Sequence, residues 1–360
     1  MNWKHIEGIA NAVLYEGYML YPYRPSAVKN RQRWNFGVVY PKSHCEIQKG
    51  NDIWRMQTQC LIRGAASASL DIKVRFLQAV SRQMGRLTAP GVSDEAEPEF
   101  EIVESIEIGN RTFRSWQEAI ERDVTFPSVR LEPLPGAPVT GAFAFPEARE
   151  LEPVKDDSGS LAAFVVRTRE RISGSVEVSA EECSAGLFKL TVVISNLTPL
   201  DDPQFAPRED VLLKSLLSTH TILGVEAGEF VSLIDPPPDV QQIASDCRNV
   251  GAWPVLAGDD GCKDAMLSSP IILYDYPQIA PESPGDLFDG TEIDEILALR
   301  ILTLSDDEKR EIRQSDERTR EVLRRTEAMP VEHFVKLHGV LRGMKSAEDP
   351  GDEIGREGER

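Results

Sequence analysis

Residues 53–63, IWRMQTQCLIR, and residues 68–76, ASLDIKVRF, decide the fold. In the first stretch Trp54, Met56, Thr58, Cys60 and Ile62 alternate with Arg55, Gln57, Gln59 and Arg63. In the second, Ala68, Leu70, Ile72, Val74 and Phe76 alternate with Asp71, Lys73 and Arg75. A β-strand turns successive side chains to opposite faces, so strict alternation marks strands with one buried side. Gly64–Ala65–Ala66 between them reads as a turn, which predicts a hairpin whose outer face is polar and largely cationic.

Upstream, residues 3–20 carry Ile6, Ile9, Val13 and Leu20 near a 3.6-residue period, which predicts a helix. Pro22 and Pro25 then impose an extended path, and residues 36–40 read as a first strand. Downstream, residues 88–99 are expected to form an exposed loop. ESIEIGNRTFRSW (104–116) predicts a short hairpin around Gly109–Asn110, followed by a helix over SWQEAIERDV (115–124). Residues 133–160, rich in Pro, Gly and charge, read as a long mobile connection. A second strand pair follows. Phe164, Val166, Ile172, Val176 and Val178 share one strand-like run, and Phe188, Leu190, Val192 and Ile194 mark its partner. A short helix over 208–219 leads to strands over 219–225 and 229–237, the latter ended by three prolines.

From residue 286 the pattern turns helical. Thr291 and Ser305 read as N-caps, and the acids after Ser305 suit the positive end of a helix dipole. The expected architecture is therefore α+β, mainly antiparallel sheet in a sandwich or strongly bent form, with an N-terminal helix and a small C-terminal helical region. The expected organisation is a β-rich domain over 1–285, divisible into lobes 1–132 and 160–285 joined by loop 133–159. A helical region over 286–343 and a disordered tail over 344–360 complete it.

The net charge is −19, which argues against nonspecific nucleic-acid binding. The charge is unevenly divided: residues 1–90 hold thirteen Lys/Arg against five Asp/Glu, whereas the other 270 hold 27 against 54. Such a division arises either from a partner-binding surface or from two parts that pack against each other, and the second is the plainer expectation. No run of eighteen apolar residues occurs, so no membrane insertion is expected. Lys4, His5, Glu7 and Glu16 interrupt the first twenty residues, which do not read as a secretion signal; a cytoplasmic location is expected. The five cysteines are scattered without a CxxC, and in a reducing compartment a Cys247–Cys262 disulfide is not expected.

Searching for chemistry yields surfaces and no catalytic constellation. Nucleotide-loop, zinc-protease, hydrolase and EF-hand patterns are absent from the sequence, and no cofactor is expected. His44 beside Cys45 lacks a second ligand pair, and His333 and His338 are five apart, a spacing that separates them around a helix. His220 reads as a core or edge histidine. Asp286, Asp289 and Glu292 are weak metal candidates for Mg²⁺ or Ca²⁺, although a helix start recruits acids for capping alone. The densest segment is Tyr15, Tyr18, Tyr21, Tyr23, Arg24, Lys29, Arg31, Arg33 and Trp34. Its tyrosines pack on the sheet, or Tyr21, Tyr23, Arg24, Lys29, Arg31, Arg33 and Trp34 face a protein partner. Stacking on single-stranded nucleic acid is the least favoured role, given the overall acidity.

Residues 11–41, NAVLYEGYMLYPYRPSAVKNRQRWNFGVVYP, resemble the opening of an uncharacterised bacterial family encoded near nickel–iron hydrogenases and their accessory proteins. Residues 270–309, PIILYDYPQIAPESPGDLFDGTEIDEILALRILTLSDDEK, resemble its second hallmark block. The resemblance implies a setting, an accessory, assembly or maturation role beside a metalloenzyme, and a hydrogenase subunit or maturation factor as the protein partner. It implies no reaction and no active-site residues. The lack of a CxxC or clustered histidines favours scaffolding over metal handling. The expected function is thus a non-enzymatic accessory protein, with a carboxylate-bound divalent-cation enzyme as the alternative and oligomeric state left open.

Overall fold

The computed structural model describes residues 3–16, 18–19, 23–24, 27, 30, 36–48, 50–88, 99–278, 294–315 and 317–330. Its elements begin with helices α1 (Trp3–Leu14) and α2 (Lys42–Ile47). Strands β1 (Arg55–Leu87), β2 (Phe100–Val103), β3 (Ser105–Ile108), β4 (Arg111–Arg114) and β5 (Trp116–Arg130) follow. Then come β6 (Val139–Phe145), β7 (Ala148–Lys155), β8 (Leu161–Arg169), β9 (Ile172–Ser184) and β10 (Leu187–Asn196). After α3 (Arg208–Leu213) lie β11 (Leu217–Val231), α4 (Gln241–Ser245), β12 (Trp253–Leu256) and β13 (Ala265–Ser269). Three helices close the described chain: α5 (Asp294–Leu302), α6 (Asp306–Arg313) and α7 (Glu317–Glu327). The fold is α+β, mostly antiparallel sheet with helices at the two ends.

β1 is the spine. Its 33 residues pair with β10 over 55–63, β11 over 61–77, β5 over 69–82, β8 over 81–86 and β2 over 84–87. A strand has two edges, so partners that overlap in register lie on opposite sides. β10, β5 and β2 therefore follow one edge while β11 and β8 follow the other.

The expected hairpin at Gly64–Ala65–Ala66 is corrected by this strand: the chain does not turn back. Between Gly64 and Ser69, β1 advances five residues while β11 advances two, from Gly228 to Glu226. The surplus makes a bulge and a corner. Glycine is required there, because a Cβ on Gly64 would lie 2.9 Å from the Gly228 Cα. Positions 56, 58, 60, 62, 68, 70, 72, 74 and 76, all even, are buried on the inner face, so one face continues through the corner, while Leu61 and Arg75 are buried on the other.

The bend brings the two ends of the sheet together. From β1 one path runs through β10 and β9 to β6, while β5 borders the other half of β1. Yet Phe143 and Phe145 of β6 stack against Phe76 of β1 at 5.8 and 5.9 Å, and Gly141 sits against the Phe126 ring of β5. The main core fills the space inside, built from Ile62, Leu70, Ile72, Phe76, Val176, Leu190, Leu223 and Phe230. Full burial of a side chain the size of Phe76 contributes about 2–3 kcal/mol.

Several other expectations change. SWQEAIERDV is strand β5 rather than helix. Trp116, Ile120 and Val124 recur every four residues, a spacing compatible with either period, and pairing with thirteen residues of β1 overrides the helix propensity of Glu, Ala and Gln. The expected loop over 133–159 contains β6 and β7, paired to β9 and β8. Residues 36–40 form only an isolated bridge, Val39 to Leu216 and Ile53. The run 162–178 breaks at Glu170–Arg171 into β8 and β9, which pair with different neighbours. The strand expected over 219–225 and the start of the one expected over 229–237 belong to a single strand, β11, which ends at Val231; residues 232–237 are not strand.

The hairpin around Gly109–Asn110 forms as β3–β4, and Ser305 caps α6. The cap is reciprocal: Ser305 Oγ accepts from the Glu308 N–H while the Glu308 carboxylate accepts from the Ser305 N–H at 2.8 Å. The expected caps and helices at Thr291 and over 331–342, and the tail over 344–360, lie outside the described residues.

Candidate functional site

The first cationic surface is spent inside the fold. α1 lays Ile6, Ile9, Ala10 and Val13 on the sheet, and its polar residues meet the outward side chains of β1. Lys73 Nζ donates to Glu7 at 2.8 Å and lies 3.3 Å from Asp123. Arg75, only 5% exposed, donates to Asn11 Oδ1 at 2.7 Å, Glu121 at 2.8 Å and Asp123 at 3.2 Å. Arg82 binds Glu118 at 3.3 Å, Arg63 binds Asp239, and Arg24 binds Glu308 at 3.2 Å. The excess positive charge of residues 1–90 is thus neutralised substantially by the acidic remainder.

The aromatic–basic segment follows the same logic. Tyr15, Tyr18 and Tyr23 are buried in a cluster with Leu77, Leu212, Leu297 and Ile312, joining the N-terminal segment to the C-terminal helices. Tyr23, expected on a partner-facing surface, is a core residue at 1% exposure, and Arg24 is half-buried against Glu308. Tyr21, Lys29, Arg31, Arg33 and Trp34 lie outside the described residues, as do Asp286, Asp289 and Glu292. No group of three or more His, Cys, Asp or Glu able to hold a metal occurs among the described residues. His44 Nε2 lies 3.0 Å from Asp52. Cys247 is partly buried, Cys262 is exposed, and both thiols are free.

What sequence reasoning missed is a cleft of about 900 Å³ between the β7–β8 end of the sheet, the β3–β4 hairpin and helices α6–α7. Its sheet side carries Arg82, Glu118, Glu150, Glu152, Lys155, Arg167 and Arg169. The hairpin contributes Arg111 and Phe113, and the helical side Arg313, Glu317, Arg318 and Arg320. Eight cations therefore face four carboxylates, in a chain whose net charge is −19.

These charges form an open network. Glu118 bridges Arg82 and Arg167, accepting from Arg167 Nε at 2.7 Å. Arg167 also donates to Glu152 at 2.5 Å, and Arg169 to Glu150 at 2.8 Å. Burial alone lowers the Arg167 pKa, but Glu118 and Glu152 together raise it. Across the cleft Arg318 donates to Glu121 at 2.9 Å, its guanidinium 4.1 Å above the Tyr15 ring. Burial would raise the Glu121 carboxyl, yet the Tyr15 hydroxyl, Arg75 and Arg318 hold it below the usual carboxylate range. Arg111 donates to the Lys155 carbonyl at 2.8 Å and stacks on Phe113.

The signal for this cleft in the sequence was RTR at 167–169 and RTR at 318–320, pieces separated by some 150 residues. Alternate arginines on β8 project to one side of a strand, but nothing local says that α7 lies opposite.

The fold and cleft together define a bent antiparallel sheet bearing a cationic groove. No protein-family model, no curated protein and no solved structure matches this chain. No helix among the described residues is long and apolar enough to cross a membrane.

Proposed function

We propose that this protein is a non-enzymatic accessory protein of the cytoplasm that holds an acidic segment of a protein partner in its arginine-lined cleft. In the setting implied by the resemblance, that partner is a nickel–iron hydrogenase subunit or maturation factor. The observation that carries the reading is the concentration of eight cations against four carboxylates in one cleft of a strongly acidic chain. Guanidinium groups bind carboxylates through planar, paired hydrogen bonds, and arginine is enriched at protein interfaces. Glu150, Glu152 and Glu317 are largely exposed and can yield their arginines to carboxylates of a partner. A nucleic acid is disfavoured, because the whole chain repels a polyanion and Tyr23, one of the expected stacking rings, is buried.

Affinity purification of the tagged chain from its host at low and high salt, read by mass spectrometry, tests the reading. The expected result is a partner recovered at low salt, lost at high salt, and lost with Arg169→Glu plus Arg320→Glu. Retention of the same partner by that doubly reversed variant overturns the role of the cleft.

A further inference from the structure

Among the described residues the sheet has five bordering strands, each paired on one side only: β2, β5, β6, β7 and β12. An open edge presents a row of unpaired backbone groups, and folded proteins guard such rows with charge, proline, bulges or short length. β7 carries Pro153 between Glu152 and Lys155, and β5 carries Pro127 and a register shift at its end. β12 carries Pro254, and its Leu256 backbone is already bonded to Asp275 and Tyr276. β2 has four residues, including Glu101. β6, VTGAFAF, has none of these guards: seven residues, no charge, no proline and an unbroken register against β9.

From this contrast we infer that β6 is a pairing edge, and that its occupant is a second copy of the same strand, running antiparallel about Ala142. The pairing is self-complementary. It sets Val139 opposite Phe145 and Gly141 opposite Phe143, all on the half-buried face, so the core faces of the two sheets stay aligned. Gly141 has no side chain because a Cβ would lie 2.4 Å from the Phe126 ring, so the half-buried face of β6 is filled from within its own copy. On the exposed face Thr140 meets Ala144 and Ala142 meets itself, all small side chains. Two copies of a chain with net charge −19 repel one another, and β6 adds no charged side chain to that repulsion. Pro138 and Pro146 bracket the seven residues; lacking an N–H, they end the ladder at both sides and penalise a slipped register. The inference is independent of the cleft.

Sedimentation velocity of the full chain from micromolar to submillimolar concentration provides the test. Wild type is expected to sediment as a concentration-dependent dimer. Thr140→Lys with Ala144→Lys sets like charges across each pair and should weaken the dimer at least tenfold, with an unchanged melting temperature at concentrations where the wild type is monomeric, because both positions are exposed. Thr140→Glu with Ala144→Lys sets opposite charges across the same pairs and should restore it. A wild-type monomer throughout, a dimer indifferent to the double lysine variant, or a failure of the opposite-charge variant to restore pairing each overturns the proposal.

Discussion

Arg75 and Arg169 both stand on β-strands and both face glutamates, yet they belong to different kinds of site. The Arg75 side chain is 6% exposed under α1 and spreads its donors over Glu121, Asp123 and Asn11. Arg169 is 27% exposed and meets Glu150, itself 60% exposed. A sealed cation must keep its partners, because losing one leaves an uncompensated charge in a poor solvent. An open one can trade partners at little cost, because water screens both the old pair and the new. The contrast separates charges that hold this fold from charges available for binding.

The sharpest way to break the comparison is to remove the sealed cation. Arg75→Ala removes a buried side chain from beneath α1 together with its bonds to Asn11, Glu121 and Asp123. It should lower stability by about 3 kcal/mol in urea unfolding, although Glu121 keeps Tyr15 and Arg318 and Asp123 keeps Lys73. A loss below about 1 kcal/mol would place Arg75 with the cleft arginines.

Acid should attack the same buried layer. His220 is fully buried opposite Arg75 on the neighbouring strand; its Nδ1 lies 2.5 Å from the Ser218 carbonyl, and burial pushes its pKa down to about 4. The unfolded chain takes up this proton below its ordinary pKa near 6.5, whereas the native chain resists until about 4. The contribution is therefore complete above the unfolded value and is lost as pH falls through that window, amounting to about 3 kcal/mol. Urea titrations at stepped pH should show the slope, and His220→Gln should remove this part of it.

The cleft should respond in the opposite sense. Arg169→Ala should change stability by less than about 1 kcal/mol, yet weaken an acidic partner about tenfold, most visibly at low salt. Calorimetry and urea unfolding of the same variant read both numbers. The smallest effect belongs to the helical wall. Ser305→Ala removes the reciprocal cap of α6 and should cost about 1 kcal/mol, read as faster amide exchange in its first turn.

How much of this was legible follows from particular residues. The alternation in β1 named its buried face correctly on both sides of Gly64, because burial on one face of a pleated strand leaves a period of two. The hairpin expected at Gly64–Ala65–Ala66 was wrong, because the same alternation fits a continuous strand and nothing local distinguishes a bulge from a turn. Ser305 was legible because a cap is satisfied within three residues. Trp116–Val124 was misread as helix because its partners, Arg82 to Val74, lie about 34 to 50 residues away, where local propensity carries no information.

The sequence by itself determined the strand-rich class, the buried face of β1, the Ser305 cap and the uneven charge, since each depends on neighbours a few positions apart. Only the tertiary structure decided which charges were sealed, that β8 and α7 face each other across a cleft, and that β6 is left at an edge. Those outcomes depend on contacts between residues distant along the chain, and the free energy of such contacts is set by burial that no local stretch encodes.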